Sequence, residues 1–339
     1  KINIKFDFTL FELYIYTKQY NMTMMINYYS ELSTEPSLAD DYKLVMPYSF
    51  NDILKCKDFT QEQLNKDWKS LCDFDGLSNP RKFCGSKIIY QTQLKNMLNC
   101  VRGNKGYRKL EDWFETPELA NELWRQTVQR NRRKKGNKSS PTDVYECHRL
   151  NNGAIVSFKP STAKYIYKLF NATNVLDPTA GWGGRMLGAM SLGIDYTGYD
   201  TNLRMIDAYN SIYNNSDKRS FLEMNWMSCL DGDFTDKDYD IVLTSPPYSN
   251  MELYEGMNPW SSDEDFYETF MLPLMNKLFT ETTCPICINM SPKMYKDLTT
   301  KYDFNECDSK IDLRQQLGKQ YKTKSQDYIY VWNAGGILL

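Results

Sequence analysis

The sequence predicts an α/β fold with a mostly parallel sheet, preceded by a mainly helical region. From about residue 155 onward, short apolar strands alternate with segments of helical spacing, as in strand–helix–strand units. A glycine-rich turn follows the first of these strands, and an aspartate ends the second. Hydrophobic residues make up 41% of the 339-residue chain and charged residues 25%, so a buried core is expected. Together, these observations favour a Rossmann-like domain.

Strands and helices are predicted in alternation along this domain. The strands are predicted at 175–176, 196–199, 240–244, 285–290 and 328–332. The helices between them are predicted through Met186 and Met190, over 202–214 and over 263–279. Because strands joined through helices run parallel, their carboxyl ends share one edge of the sheet, where ligands bind in open α/β folds.

The chain divides into an N-terminal region over residues 1–145 and the α/β domain over residues 146–339. The N-terminal region has few glycines, and residues 118–130 space their apolar side chains as one face of a helix. Residues 139–143, Ser-Ser-Pro-Thr-Asp, are expected to form a linker between the two regions.

The composition excludes several kinds of chemistry. A serine hydrolase triad, or a metal site with several imidazoles, would depend on His148 alone, which has no evident second partner. The nine scattered cysteines are typical of reduced thiols rather than of a disulfide scaffold. Cys284 and Cys287 form one C-x-x-C pair, but no second pair follows at zinc-ligand spacing. We therefore assign them to a buried strand and expect no metal.

The chain is expected to act in the cytoplasm, or at a nucleoid or viral factory, and not to be secreted. No stretch approaches the ~18 apolar residues of a membrane span, so no membrane partner is expected. Charges interrupt the opening segment Lys1–Phe8, which does not form a signal peptide. The net charge of −2 does not by itself indicate nucleic-acid binding, which would require basic residues concentrated on one face.

Two motifs mark a predicted nucleotide-type pocket. The turn Asp177-Pro-Thr-Ala-Gly-Trp-Gly-Gly184 lies between a strand and a helix, where glycines let the backbone approach a ligand. A tight turn without a ligand is the alternative. Asp200 ends the next strand, 23 positions after Asp177, where such pockets carry an acceptor for ribose hydroxyls. Its alternative role is to cap the helix that begins near Asn202.

The most specific motif is Thr244-Ser-Pro-Pro-Tyr248, at the end of the predicted strand 240–244. Two consecutive prolines fix the backbone, and Pro246 lacks an amide donor, so carbonyls can project into a cleft. Ser245 adds a hydroxyl, and Tyr248 adds an aromatic face with a polar tip. An ordinary proline turn is the alternative.

Residues 126–140 are strongly basic and contain no acidic side chain. The basic residues are Arg130, Arg132, Arg133, Lys134, Lys135 and Lys138. Contact with nucleic-acid phosphates would explain them, because phosphate neutralisation supplies affinity that does not depend on base sequence. A solvated linker explains them almost equally well, and phosphate contact is the interpretation that we favour.

In this order, the motifs resemble those of the amino-methyltransferases that make N4-methylcytosine or N6-methyladenine in DNA. The resemblance spans roughly residues 155–335 and implies S-adenosylmethionine as cofactor and double-stranded DNA as substrate. A second subunit or a homodimer is compatible with it. The implied cofactor contacts are Lys159, Pro160, Asp177, Pro178, Ala180, Gly181, Gly183, Asp200, Asn202 and either Asp231 or Asp233, of which Asp231 is favoured on the adenine side. The implied catalytic residues are Ser245, Pro246, Pro247 and Tyr248.

The sequence departs from the family pattern at two places. Many family members have an aromatic residue where this chain has Thr179 or Ala180. About sixty residues separate the cofactor motif from the catalytic motif, which leaves no room for a recognition domain between them. Residues 1–145 are therefore the expected DNA reader, unless a separate subunit has this role.

The implied reaction explains the residue types of the catalytic motif. An exocyclic amino lone pair is delocalised into its ring and is a poor nucleophile. Hydrogen bonds from the amino group to the Ser245 hydroxyl and the Pro246 carbonyl would localise that lone pair. No strong base is needed beforehand, because the proton leaves after the nitrogen has become cationic. The base must leave the duplex to reach the site, and Tyr248 would stack on it.

The sequence leaves two other functions open. RNA-base and protein-glutamine methyltransferases resemble this chain in the pocket, usually with aspartate or asparagine in place of Ser245. Serine is commoner among the cytosine-N4 enzymes, which gives a slight preference for cytosine over adenine. An inactive binding subunit with a methyltransferase fold is the second alternative. Such proteins tend to lose the glycine turn or the catalytic tetrapeptide, and both are present here.

Overall fold

A seven-stranded sheet forms the centre of the computed structural model. The structure describes residues 44–77, 83–101, 108–135, 138–151, 155–214, 221–254, 257–313, 328–333 and 335, without the side chains of 132–135 and 251. The strands are β1 (Asn174–Asp177), β2 (Asp195–Tyr199), β3 (Leu222–Asn225), β4 (Ile241–Thr244), β5 (Ile286–Met290), β6 (Ser309–Asp312) and β7 (Tyr328–Trp332). The helices are α1 (Phe50–Leu54), α2 (Gln61–Asp73), α3 (Ser86–Leu98), α4 (Pro117–Lys135), α5 (Pro141–Asn151), α6 (Pro160–Leu169), α7 (Gly184–Met190), α8 (Ile206–Asn214), α9 (Asp263–Phe266), α10 (Leu272–Glu281) and α11 (Pro292–Lys301).

The sheet has the order β3-β2-β1-β4-β5-β7-β6. Strands β1 to β5 are parallel to one another, and β7 runs antiparallel to both β5 and β6. The chain moves outward from β1 to β3 and then returns to the other side of β1 with β4, so the order reverses between β1 and β4. A crevice at the carboxyl ends of the strands is expected at such a reversal. The predicted Rossmann-like α/β fold with a mostly parallel sheet is thus confirmed.

The central strands are buried on both faces, which explains why their sequences are nearly continuous in apolar residues. In β4, Ile241 and Leu243 belong to one core and Val242 to the other, because successive side chains point to opposite faces. The first core includes residues of α6, α7 and α8, and the second includes residues of α9, α10 and α11.

Two strands, β3 and β6, are not predicted from the sequence. Both lie at the edges of the sheet. Their sequences, Leu-Glu-Met-Asn and Ser-Lys-Ile-Asp, are mostly half-buried and lack the apolar run that marks a central strand. Their register is set by pairing with β2 and β7 rather than by a hydrophobic pattern of their own.

The described part of the N-terminal region is mainly helical, as predicted. Leu71 of α2 and Ile88 of α3 belong to the same apolar core as Ala163 of α6, so these helices pack directly on the α/β domain. A separate apolar cluster includes Leu123 of α4 and Val144 of α5. The helical region therefore extends the first core and adds a smaller core of its own.

The linker predicted at residues 139–143 is wrong, because helix α5 begins at Pro141 and Ser140 caps it. The main-chain N–H and the hydroxyl of Ser140 donate to Asp143 Oδ2 at 2.8 and 2.7 Å. The Asp143 N–H donates back to Ser140 Oγ at 3.4 Å. This reciprocal arrangement is a helix-capping box. The domain boundary predicted after residue 145 consequently falls inside α5.

Hydrogen bonds join the N-terminal region to the α/β domain, among them those of Lys164 and of the bridge between Val101 and Leu253. Lys164 of α6 is 2% exposed, and its Nζ donates to the carbonyls of Leu71 and Cys72 at 2.7 and 2.9 Å. Burial lowers the pKa of Lys164. Val101 and Leu253 exchange two main-chain hydrogen bonds of 3.2 and 2.8 Å as an isolated antiparallel bridge.

Replacement of Lys164 by methionine is expected to lower the free energy of unfolding by about 1–3 kcal/mol, because two carbonyls near the end of α2 lose their buried donor. Urea denaturation followed by circular dichroism measures the change. The control is Lys168→Met, since Lys168 lies on the same helix and is exposed. Equal unfolding midpoints for the two variants would contradict the assigned role of Lys164.

Candidate active site

A cavity of about 550 Å³ opens where β1, β2, β3 and β4 end. Each strand contributes the residues that directly follow it: Pro178, Thr179, Gly181 and Trp182 after β1, Asp200 to Met205 after β2, Met227 to Cys229 after β3, and Ser245 and Pro247 after β4. The cavity therefore lies at the strand-order reversal between β1 and β4, on the carboxyl edge of the sheet.

The glycine-rich turn forms one wall of the cavity. Gly183 has a φ of +82°, and a Cβ there would approach Ile212 at 2.8 Å. A Cβ on Gly184 would lie 1.9 Å from the carbonyl oxygen of Phe158, so no side chain fits at this position. The Ala180 N–H donates to the Tyr199 carbonyl at 2.8 Å and ties the turn to the end of β2. Packing therefore requires glycine at positions 183 and 184.

Asp177 faces the protein interior rather than the cavity. It is 0% exposed, and its Oδ2 accepts from Arg185 Nε at 2.7 Å and from the Tyr196 hydroxyl at 2.6 Å. Its Oδ1 accepts from the Thr244 hydroxyl at 3.0 Å. The Arg185 guanidinium is also buried and donates to the Thr179 carbonyl. Asp177 thus links β1, β2, β4 and α7 through a buried ion pair.

Asp200 lies in the cavity wall, as its sequence position predicts. Its Oδ2 accepts from the Gly181 N–H at 2.8 Å, and its Oδ1 accepts from the Asn202 N–H at 2.9 Å. Burial raises the pKa of Asp200, while these two donors act in the opposite direction. The following short helix is capped by Asn202, whose Oδ1 accepts from the Arg204 N–H at 3.2 Å. Because Asn202 caps this helix, capping does not account for Asp200.

The Ser-Pro-Pro-Tyr motif contributes Ser245 and Pro247 to the cavity. The Ser245 hydroxyl donates to Asn289 Oδ1 at 3.2 Å. Pro246 is buried, and Tyr248 is half-buried against the second core, so neither belongs to the cavity wall. Stacking of a ligand on Tyr248, as predicted from the sequence, has no counterpart in this wall.

Besides Tyr199 at the end of β2, four aromatic residues line the cavity: Trp182, Tyr254, Trp260 and Phe270. Trp182 and Tyr254 meet edge to face at 5.6 Å, and Trp260 lies 5.8 Å from Phe270. The side chain of Asn250 fixes the main chain of Trp260. Its Oδ1 accepts from the main-chain N–H of Trp260 at 2.9 Å, and its Nδ2 donates to the Trp260 carbonyl at 2.6 Å. These four residues were not predicted from the sequence as site residues, although the density of aromatic residues after Tyr248 is a usable signal.

Several residues implied by the family resemblance lie outside the cavity wall. Lys159 Nζ lies 5.4 Å from the centre of the Phe83 ring, and burial lowers the pKa of this lysine. Pro160 is the first residue of α6. Asp231 and Asp233 are both exposed, and Asp233 Oδ1 accepts from the Thr235 N–H and hydroxyl at 2.9 and 2.6 Å. After β3, the wall is formed by Met227, Ser228 and Cys229 instead.

The basic segment lies on the end of α4 and just beyond it. Arg130 and Lys138 are exposed. The main chain of Arg132, Arg133, Lys134 and Lys135 continues the helix, but their side chains lie outside the described residues. The assignment of this segment to phosphate contact stays a prediction.

The surroundings of His148 and the cysteines are typical of structural rather than catalytic residues. His148 is 5% exposed in α5, and burial lowers its pKa to about 4. All nine cysteines are free thiols, and Cys284 and Cys287 are buried. Within the described ranges, no group of three or more metal-ligating side chains could hold an ion. Nor is any helix in those ranges long and apolar enough to cross a membrane.

No protein-family model matches the sequence, and no curated protein matches it. Solved structures with a similar fold include a possible methylase from Clostridium difficile 630, at 14% identity and a TM-score of 0.39 over 52% of this chain and 53% of that one. A tRNA (uracil-54, C5)-methyltransferase from Pyrococcus abyssi, in complex with S-adenosyl-L-homocysteine, aligns at 17% identity and a TM-score of 0.34 over 50% of this chain and 36% of that one. A candidate class I S-adenosylmethionine-dependent methyltransferase from Listeria monocytogenes aligns at 11% identity and a TM-score of 0.40 over 80% and 87%. The chain thus spans about half or less of the first two proteins. These distant likenesses concern the fold, and the assignment of a reaction depends on the cavity itself.

Proposed function

We propose that this chain transfers a methyl group from S-adenosylmethionine to an exocyclic amino group of a base in DNA, at cytosine N4 or adenine N6, with cytosine N4 favoured. One observation carries the proposal: the glycine turn, Asp200 and the Ser245–Pro247 segment, which are distant in sequence, line the same cavity. A nucleotide-type subsite and a hydroxyl suited to binding an amino group therefore line one cavity.

The residues of the cavity fit S-adenosylmethionine. Asp200 presents a carboxylate suited to ribose hydroxyls, and Gly181, with a φ of +60°, lets the main chain approach a ligand. Leu203 and Met227 line the same cavity and are 60% and 40% exposed, which suits the faces of a planar purine. When bound, the cofactor supplies an electrophilic methyl group on sulfur. We assign its binding to Gly181, Asp200, Leu203 and Met227.

The chain's own groups activate the acceptor by accepting hydrogen bonds. Ser245 Oγ, which lines the cavity, receives one amino hydrogen and so helps to localise the nitrogen lone pair. The Pro246 carbonyl, predicted from the sequence as the second acceptor, lies outside the cavity wall. Positioning of the two reactants supplies much of the remaining acceleration. The reaction requires no imidazole base, in agreement with the burial of His148 in α5.

The aromatic residues of the cavity suit a base that has left the duplex. Trp182, Tyr254 and Trp260 offer flat faces or edges to a planar ring. Stacking contributes about 1–3 kcal/mol per base, which is comparable with the cost of unstacking a base from DNA. In this proposal these residues stack on the base, a role that the sequence had predicted for Tyr248.

Double-stranded DNA is the proposed partner, and the exposed Arg130 and Lys138 are consistent with phosphate contacts near the end of α4. Recognition of the base sequence is assigned to residues 1–145, or to a second subunit. A homodimer is also compatible with this arrangement.

The proposal is tested by methyl transfer from labelled S-adenosylmethionine to mixed double-stranded DNA, followed by digestion and separation of the nucleosides. Label is expected in N4-methylcytosine or N6-methyladenine. Ser245→Ala is expected to lower the rate by about tenfold to a hundredfold, because one acceptor of the amino group is lost. Ser249→Ala is the matched control, since Ser249 lies outside the cavity wall and its hydroxyl donates to Asp263.

RNA and a glutamine-containing peptide are assayed in parallel. Label in RNA but not in DNA would make RNA the substrate, and label in the peptide but not in DNA would make a protein glutamine the substrate. Binding of S-adenosylhomocysteine without transfer to any acceptor would favour a binding subunit. In a thermal-shift assay, ~100 Kd of this ligand should stabilise an intact cofactor site by ~2.7 kcal/mol, whereas an unaltered melting temperature would remove the cofactor assignment.

A further inference from the structure

Asn289 connects the candidate catalytic serine to strand β7. Asn289 lies in β5 and is 8% exposed, and its main chain is paired with Ile329. Its Oδ1 accepts from the Ser245 hydroxyl at 3.2 Å, and its Nδ2 donates to the Tyr328 carbonyl at 3.1 Å. The family resemblance does not point to this residue, and it is absent from the cavity wall.

The two hydrogen bonds of Asn289 have a fixed direction. A main-chain carbonyl can only accept, so the amide NH₂ of Asn289 must face Tyr328. The amide oxygen then faces Ser245, and it too can only accept. The single hydroxyl proton of Ser245 is therefore directed toward Asn289. Toward the cavity, Ser245 Oγ can therefore accept hydrogen bonds but cannot donate one.

We propose that Asn289 is a positioning residue that keeps Ser245 an acceptor toward the cavity, so that the site selects a group bearing N–H over a carbonyl. This inference rests on the proposed function and deepens it. Cytosine and adenine present an amino group at the methylated position, whereas uracil and hypoxanthine present a carbonyl oxygen there. A serine free to rotate could serve either kind, since a hydroxyl both donates and accepts. A serine held by Asn289 cannot donate to a carbonyl.

The surroundings of Asn289 make this arrangement rigid. Its neighbours in β5, Ile288 and Met290, are both 0% exposed, and β7 pairs with the whole length of the strand. Ser245 directly follows β4, which is paired with β5 through Thr244 and Ile288. The acceptor thus lies in β5 and the donor directly follows the adjacent strand β4, so both are anchored to one sheet.

The first test measures binding rather than turnover. Double-stranded oligonucleotides carry the methylated site found in the transfer assay, with either the amino base or its carbonyl counterpart at the target position. Dissociation constants are measured by fluorescence anisotropy with S-adenosylhomocysteine present. Asn289→Ala is expected to reduce the preference for the amino base by about tenfold, because the Ser245 hydroxyl can then donate to the carbonyl. Comparing the two proteins on the same pair of duplexes cancels the differences between the duplexes.

The second test is a double-mutant cycle on the rate of methyl transfer. If Asn289 acts through Ser245, Asn289→Ala should slow the wild-type chain by about tenfold and have little further effect on Ser245→Ala. A purely structural loss would instead slow both backgrounds by the same factor. Asn174→Ala is the matched control, because Asn174 Nδ2 also donates to a main-chain carbonyl, that of Asp238 at 2.9 Å. Asn174 is the first residue of β1, whereas the cavity lies where β1 ends.

The outcomes separate this inference from the proposed function. A wild-type chain that methylates DNA, with equal base preference in wild type and Asn289→Ala or with additive rate losses in the cycle, overturns the role of Asn289 alone. A wild-type chain that methylates no acceptor overturns both proposals. If Asn289→Ala does not fold, Asn289→Asp replaces it. Aspartate still accepts from Ser245, so the preference for the amino base should persist, and its loss in folded Asn289→Asp overturns the inference.

Discussion

Replacement of Asp177 by alanine is expected to lower the free energy of unfolding by about 3–5 kcal/mol, the usual cost of leaving one member of a buried ion pair without its partner. Asp177 and Arg185 are 0% and 4% exposed, and the carboxylate also accepts from Tyr196 and Thr244. Without it, a buried guanidinium and two buried hydroxyl groups lose their acceptor. Burial disfavours the charged guanidinium, whereas the neighbouring Asp177 raises the pKa of Arg185 and favours its charged form.

Equilibrium unfolding in urea measures this effect, with Asp238→Ala as the control because Asp238 is exposed. The control should stay within about 0.5 kcal/mol of wild type. The double variant Asp177→Ala/Arg185→Met should recover part of the lost stability, because it removes the unpaired charge. A single Asp177→Ala variant as stable as the control would show that the ion pair does not support the fold, and would favour the sequence-based assignment of Asp177 to the cofactor.

Replacement of Asp200 by alanine is expected to weaken the binding of S-adenosylhomocysteine by about 100-fold or more. In the proposed site its carboxylate accepts from two ribose hydroxyls, and hydrogen bonds to a charged group contribute about 1.5–3 kcal/mol each. The loss of contacts with Gly181 and Asn202 removes the group that positions the glycine turn, which acts in the same direction. Isothermal titration calorimetry measures the dissociation constant.

Asp231→Ala and Asp233→Ala are the matched controls for Asp200→Ala. Both residues are exposed and lie outside the cavity wall, so each variant should bind the ligand within about twofold of wild type. A tenfold loss in Asp231→Ala would support its sequence-based assignment to the adenine of the cofactor. Unchanged affinity in a folded Asp200→Ala variant would refute the proposed cofactor site.

The central sheet could be predicted from the sequence because burial on both faces leaves a direct record in the residues. Strands β4 and β5 are nearly continuous runs of apolar residues, and each is followed directly by a serine and a proline. The edge strands β3 and β6 have no such record. Glu223 and Lys310 interrupt them, and their strand conformation depends on neighbours that are distant in the chain.

The candidate site was predictable in its position but only partly in its residues. Asp177 ends β1 and Asp200 directly follows β2, and the family resemblance implies both as cofactor contacts. Asp200 lies in the cavity wall, whereas Arg185 and Tyr196 turn Asp177 inward. The direction of a carboxylate depends on partners brought together by folding, which spacing alone does not reveal. The place of Trp260 in the wall is set in the same way by Asn250.

Because of the bridge between Val101 and Leu253, the N-terminal region and the α/β domain cannot be exchanged independently of each other. Leu253 adjoins Tyr254 of the cavity wall, so the N-terminal region holds in place a segment that belongs to the cavity of the other region. A chain beginning at residue 146 would leave Leu253 without these hydrogen bonds and Lys164 without its carbonyl acceptors. Exchanging residues 1–145 for another sequence would therefore require Val101 and the end of α2 to be kept.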